Sequence, residues 1–112
     1  MESILNSIKK LLGIPEEYVH FDVDIIMHIN SAFMILTQLG VGPPTGFCIK
    51  DSFNTWLEFI PEEDPMLESV KTFIYVKVKL VFDPPLSSVV LESLKVLANE
   101  LEWRINTAIE SK

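Results

Sequence analysis

The chain of 112 residues contains one cysteine, two histidines, four glycines, and nine Lys and Arg against sixteen Asp and Glu. A lone Cys48 closes no internal disulfide. Met1-Glu2-Ser3-Ile4 lacks the basic stretch and cleavage site of a secretory signal, so an intracellular, reducing origin is expected. The shortage of cations, with a formal charge of −7, argues against a protein that holds nucleic acid or an anionic membrane surface, since both need clustered Lys and Arg. A zinc site needs ligands at helical or hairpin spacing, but His20 and His28 stand eight residues apart and Cys48 has no CxxC partner. No Gly-flanked nucleophile with a histidine base is present. Cys48 therefore reads as a small, partly buried apolar residue, and His28 as a core or interface hydrogen-bonding group. Gly40-Val41-Gly42 lacks the third glycine and the preceding strand of a dinucleotide loop. The acidic cluster Glu58, Glu62, Glu63, Asp64 and Glu68 lacks the ligand order of a calcium loop and reads as a solvated helix start. No catalytic residue, cofactor site or metal ligand is assigned, no cofactor is expected, and the chain is not expected to be an enzyme.

What is abundant is apolar surface. Hydrophobic residues make up 48% of the chain, and its length fits one domain over residues 1–112. A domain of this size buries only roughly two-thirds of the surface its unfolded chain exposes, so part of the apolar surface is expected to need a partner. Ile25 to Ile49 carries no Asp, Glu, Lys or Arg. His28, Asn30, Ser31, Thr37 and Gln38 interrupt it, and it breaks at Gly40-Val41-Gly42-Pro43-Pro44, so a buried helix is expected rather than a membrane span.

Periodicity then places the elements. Ile4, Leu5, Ile8, Leu11 and Leu12 share one face of a short helix over Glu2 to Leu12, which Gly13 and Pro15 terminate. A second helix, capped by Asp22 or Asp24, runs to about Leu39 with Ile25, Ile29, Ala32, Phe33 and Leu36 facing a core. Met27, Met34 and Ile35 lie off that face, so this helix is apolar nearly all round and is expected to be the central one, packed within its subunit and against something else. Residues 40 to 65 form a long connection rich in glycine, proline and aromatics, with a short helix starting from a Ser52 cap. Loops of this length are usually functional or disordered, and this one has too many aromatics for disorder. Phe47, Phe53, Trp56 and Phe59 are the candidate loop anchors for a partner, and Met27, Met34 and Ile35 the candidate outer face of the second helix. Trp56 and Trp103 fit partner contact or core equally well.

Between Pro65 and Phe82 two patterns compete. Tyr75-Val76-Lys77-Val78-Lys79-Leu80 alternates like a strand, whereas Leu67, Val70, Ile74, Val78 and Val81 follow a helix. The acidic start and the basic end favour helix, because they complement its dipole. Asp83-Pro84-Pro85 interrupts the element. A long final helix, capped by Ser87 or opened by the prolines, then aligns Val90, Leu94, Leu97, Leu101, Ile105, Ala108 and Ile109, with Glu100 and Arg104 paired on its exterior. The expected fold is all-α, a bundle of one short and three longer helices with the aromatic-rich loop between the second and third.

Several of these segments together resemble a family. Leu12-Gly13-Ile14, Phe21-Asp22, the run Ile25 to Phe33, Gln38-Leu39-Gly40-Val41-Gly42, Trp56, Val78-Lys79-Leu80-Val81-Phe82-Asp83-Pro84-Pro85 and Glu100-Leu101-Glu102-Trp103-Arg104 are similar to the small head–tail connector, or adaptor, proteins of tailed bacteriophages and of prophages in Gram-positive bacteria. The resemblance implies a non-catalytic structural protein of the virion, made in the bacterial host cytoplasm. It also implies a homo-oligomeric ring of roughly a dozen copies joined head to tail, set beneath the portal protein and above a tail-side completion protein. DNA would pass through without specific binding, and negative charge suits such a lining. On this reading the aromatic loop clasps an adjacent copy or the portal, and the helix reading of Pro65 to Phe82 is favoured.

A different class of function fits the same composition: a small acidic helical regulator, antitoxin-like, that binds a basic protein. A ring of many copies separates the first reading from a tight one-to-one complex.

Overall fold

The computed structural model describes residues 2–110. The chain forms four α-helices: α1 (Ile4–Leu12), α2 (Asp22–Gln38), α3 (Leu67–Phe82) and α4 (Ser88–Glu110), with one 3-10 turn at Trp56–Glu58. No strand forms among the described residues. The segment that alternated like a strand is helical because Phe73, Ile74, Val76 and Val78 are all buried. Burial on every side makes the period-2 pattern and the helical pattern equally apolar, and α3 takes the form that satisfies its own backbone.

The central helix is therefore α3, not α2. α2 and α4 each pack along α3, α1 lies across α2 and α3, and α2 and α4 barely meet. The core joins Ile4, Leu5 and Ile8 of α1 to Ile25, Ile29, Phe33 and Leu36 of α2 and to Val70, Phe73 and Ile74 of α3. Each large side chain in it contributes about 1.5–3 kcal/mol of burial.

The helix ends follow local chemistry. Ser3 Oγ accepts from the Asn6 N–H at 3.2 Å to cap α1. Gly13, at φ 81°, closes it in the left-handed conformation, with Gly13 N–H bonded to Lys10 O and Ile14 N–H to Lys9 O at 2.8 Å, the Schellman pattern. Neither Asp22 nor Asp24 caps α2. Phe21 holds the cap position and both aspartates sit in the first turn. Asp22 is withheld from capping by the Lys9 ammonium, 2.8 Å from its Oδ1. Ser87 Oγ accepts from Val90 N–H at 3.4 Å before α4.

Two faces are rotated from the sequence expectation. On α1 the buried arc runs through Ile4, Ile8, Leu5 and Lys9, which leaves Leu11 exposed. On α4 it runs through Leu91, Leu94, Ala98, Leu101, Ile105 and Ile109, with Val90, Leu97 and Ala108 exposed beside it. The small side chain of Ala98 lets α4 approach α3 where Leu97 would hold it off.

Candidate assembly surfaces

The long connection docks on its own subunit. The Asn30 side chain grips the loop backbone, donating to Ile49 O at 3.0 Å and accepting from Ile49 N–H at 2.7 Å. Ile4 N–H donates to Asn54 O at 3.0 Å, beside an isolated bridge between Ser3 and Thr55. Trp56 is 2% exposed, and its indole N–H donates to Ser7 Oγ at 3.1 Å. Phe59 is also buried, its ring 4.7 Å from that of Phe33. Phe47 packs on the core with its ring 4.9 Å from Phe33.

Of the four loop aromatics named from the sequence, three thus complete the core and Phe53, at 83% exposed, faces solvent. Its projection has a local cause. Asp51 Oδ1 accepts from the Phe53 N–H at 2.8 Å, and Asn54 Oδ1 accepts from the Lys50 N–H at 2.8 Å, which folds a turn with Phe53 at its tip. The short helix starts one turn later than the Ser52 cap expected from sequence. Thr55 opens it, and Glu58 returns a carboxylate oxygen to the Thr55 N–H at 3.0 Å, half of a capping box.

The carboxyl of Glu58 is held below its ordinary value by the hydrogen bond from the Asn54 side chain, and then by the one from the Thr55 backbone. Glu2 is likewise held low by the hydrogen bond from Lys71, 2.9 Å away. The Lys71 ammonium also lies 5.7 Å from the centre of the Trp56 ring. These charges fasten the chain start and the loop to α3.

On α2 the outer residues divide. Met27 and Met34 are exposed, whereas Ile35 packs against the core. Val23, not named from sequence, joins the two methionines at helical spacing and is more exposed than either. A second apolar stripe, also missed, runs along α4 through Val89, Val96 and Trp103, with Leu86 fully exposed just before it. Its sequence signal was a strict seven-residue spacing that the stronger core stripe of the same helix masked. Trp103 is thereby a surface residue, and Trp56 a core one.

At the bundle end near the α3–α4 turn, Phe21 stacks edge-on against Phe82 at 5.4 Å and His20 against Phe21 at 4.8 Å. His28 lies 6.4 Å from Phe82. Cys48 is exposed rather than partly buried. Among the described residues no three of His, Cys, Asp and Glu come together as a metal site, and no helix is long and apolar enough to cross a membrane. The arrangement offers packing surfaces, and its polar groups are engaged in caps and loop fastenings.

Comparison with known proteins gives one match. The family model described as phage connector protein matches residues 4–112. No curated protein and no solved structure matches the chain.

Proposed function

The chain belongs to the phage connector proteins, structural proteins of the virion's head–tail junction, and from that premise we propose that its copies assemble into a ring of roughly a dozen beneath the portal. DNA passes through the opening, with the portal on one side and a tail-side completion protein on the other. The family match over nearly the whole chain carries this reading. Exposed apolar side chains on two helices, Met27 and Met34 on α2 and Val89, Val96 and Trp103 on α4, support it, since large exposed apolar residues grouped along a face mark sites of association. The formal charge of −7 supports a lining along which a polyanion slides without sticking.

Phe53 at the loop tip is the side chain presented to the portal or to a neighbouring copy, together with Met27 and Met34. Phe47, Trp56, Phe59 and Ile35 act behind this surface by holding it in shape. Light scattering after size exclusion, with electron microscopy of the purified chain alone and with portal, tests the reading. Closed rings with an opening wide enough for duplex DNA are the expected result. A discrete one-to-one complex with a basic host protein, and no ring under either condition, overturns it.

A further inference from the structure

We propose that each joint between copies is made of two different faces: the α2 stripe of Val23, Met27 and Met34 on one copy seats against the α4 stripe of Val89, Val96 and Trp103 on the next. The proposal rests on the ring reading above and names the surfaces that build it.

Placement comes first. α3 lies between α2 and α4, which scarcely touch, so their outward sides point away from each other on opposite flanks of the subunit. Both flanks carry exposed apolar side chains, with Met34 and Val96 each 63% exposed and Val89 74%. Two unlike sticky faces on opposite sides produce head-to-tail joints, which close into rings or run on as filaments, whereas a two-fold dimer needs one face that matches itself.

Spacing agrees. Met27 and Met34 are seven residues apart, as are Val89 and Val96, and Val96 and Trp103. Two helices with seams repeating every seven residues interlock at a shallow crossing angle, one seam's side chains falling between those of the other.

Charge selects the occupant. Copies with a formal charge of −7 repel one another except where charge is absent or cancelled. The α2 stripe enters the run from Ile25 to Ile49, which has no Asp, Glu, Lys or Arg. On α4 the acids flanking the stripe are cancelled within the helix: Glu92 by Lys95 at 3.5 Å and Glu100 by Arg104 at 2.8 Å. A basic partner would seek the acidic surfaces instead. These two flanks are where a second acidic copy meets least repulsion.

The test uses full-length Met34→Glu and Val96→Glu, each alone and mixed in equal amounts, beside the wild type, by light scattering and sedimentation over a concentration series. Both positions are exposed, and circular dichroism checks that the helices persist. Each variant alone is expected to self-associate at least about tenfold more weakly than wild type, which corresponds to about 1.4 kcal/mol. The mixture is expected to stop at a heterodimer, because Met34→Glu keeps its α4 face and Val96→Glu keeps its α2 face. In a Cys48→Ser background, Met34→Cys and Val96→Cys are expected to form a disulfide with each other when mixed and not with themselves. Wild-type assembly that both Glu variants share overturns the choice of faces and leaves the ring reading standing. A Val96→Glu dimer formed without its partner variant overturns the two-face joint. A wild type that stays monomeric throughout overturns the ring reading and this proposal together.

Discussion

The buried ammonium of Lys9 meets Asp22 Oδ1 at 2.8 Å while donating to Glu16 O at 3.0 Å and Tyr18 O at 2.8 Å. One side chain on α1 thereby fixes the α1–α2 connection and the first residue of α2. The contact with Asp22 has ion-pair distance without hydrogen-bond alignment, so the two carbonyls provide the directed bonds.

Lys9→Ala strands two carbonyls and a mostly buried carboxylate together, and a loss of about 3 kcal/mol is expected. Lys9→Met keeps the apolar stem and loses less. Urea unfolding of the two variants, with and without Asp22→Asn, measures the difference. A recovery in the double variant shows that the stranded carboxylate carries part of the cost.

Gly42 sits at φ 82°, and a Cβ there would overlap the Phe59 ring. Gly42→Ala is expected to cost about 2–3 kcal/mol through backbone strain and overpacking together. Gly46, at φ 98° with open space around its Cα, suffers the strain alone, so Gly46→Ala costs less, about 1–2 kcal/mol. Thermal unfolding of the pair ranks them.

Phe53 and Trp56 are three residues apart and do opposite work. Trp56→Ala removes a core ring and its bond to Ser7, and a loss of about 3–5 kcal/mol is expected. Phe53→Ser changes stability by no more than about 0.5 kcal/mol while weakening association with the portal or a neighbouring copy. Circular dichroism melts and pull-down by purified portal, run on both variants, separate fold from contact. A Phe53→Ser protein that binds as well as wild type removes Phe53 from the interface.

Glu58 is held below its ordinary value in the folded chain by Asn54 and Thr55. A depressed folded value means the carboxylate contributes to the loop above the unfolded value, roughly pH 4. That contribution falls away as pH drops through the lower folded value. The Thr55 amide resonance is therefore expected to shift on the acid side of pH 4, and Glu58→Gln to abolish the shift. Nuclear magnetic resonance titration of the two proteins reads it directly.

The helices were legible because their caps, breakers and apolar periods are local. Gly13 and Pro15 end α1, Pro84 and Pro85 end α3, and the dipole-matched charges of α3 outweigh its alternating stretch. The faces were less legible. Lys9 gave no sign in sequence that it would be buried, because its partners are backbone carbonyls that no residue type announces. Trp56, Phe59 and Phe53 look alike in a composition of loop aromatics. Whether a ring turns inward depends on the Asn30–Ile49 clasp and the turn between Asp51 and Asn54.

The apolar content and acidity fixed from the start that this chain folds as helices with surface to spare, since both follow from residue counts and short-range spacing. Which helix is enclosed, which aromatics are consumed by the core, and that the surplus lies on two opposite flanks were settled only when α3 took the middle. Those outcomes depend on contacts between residues far apart in the chain, and a helix's own periodicity cannot say which of its two apolar stripes its neighbours will cover.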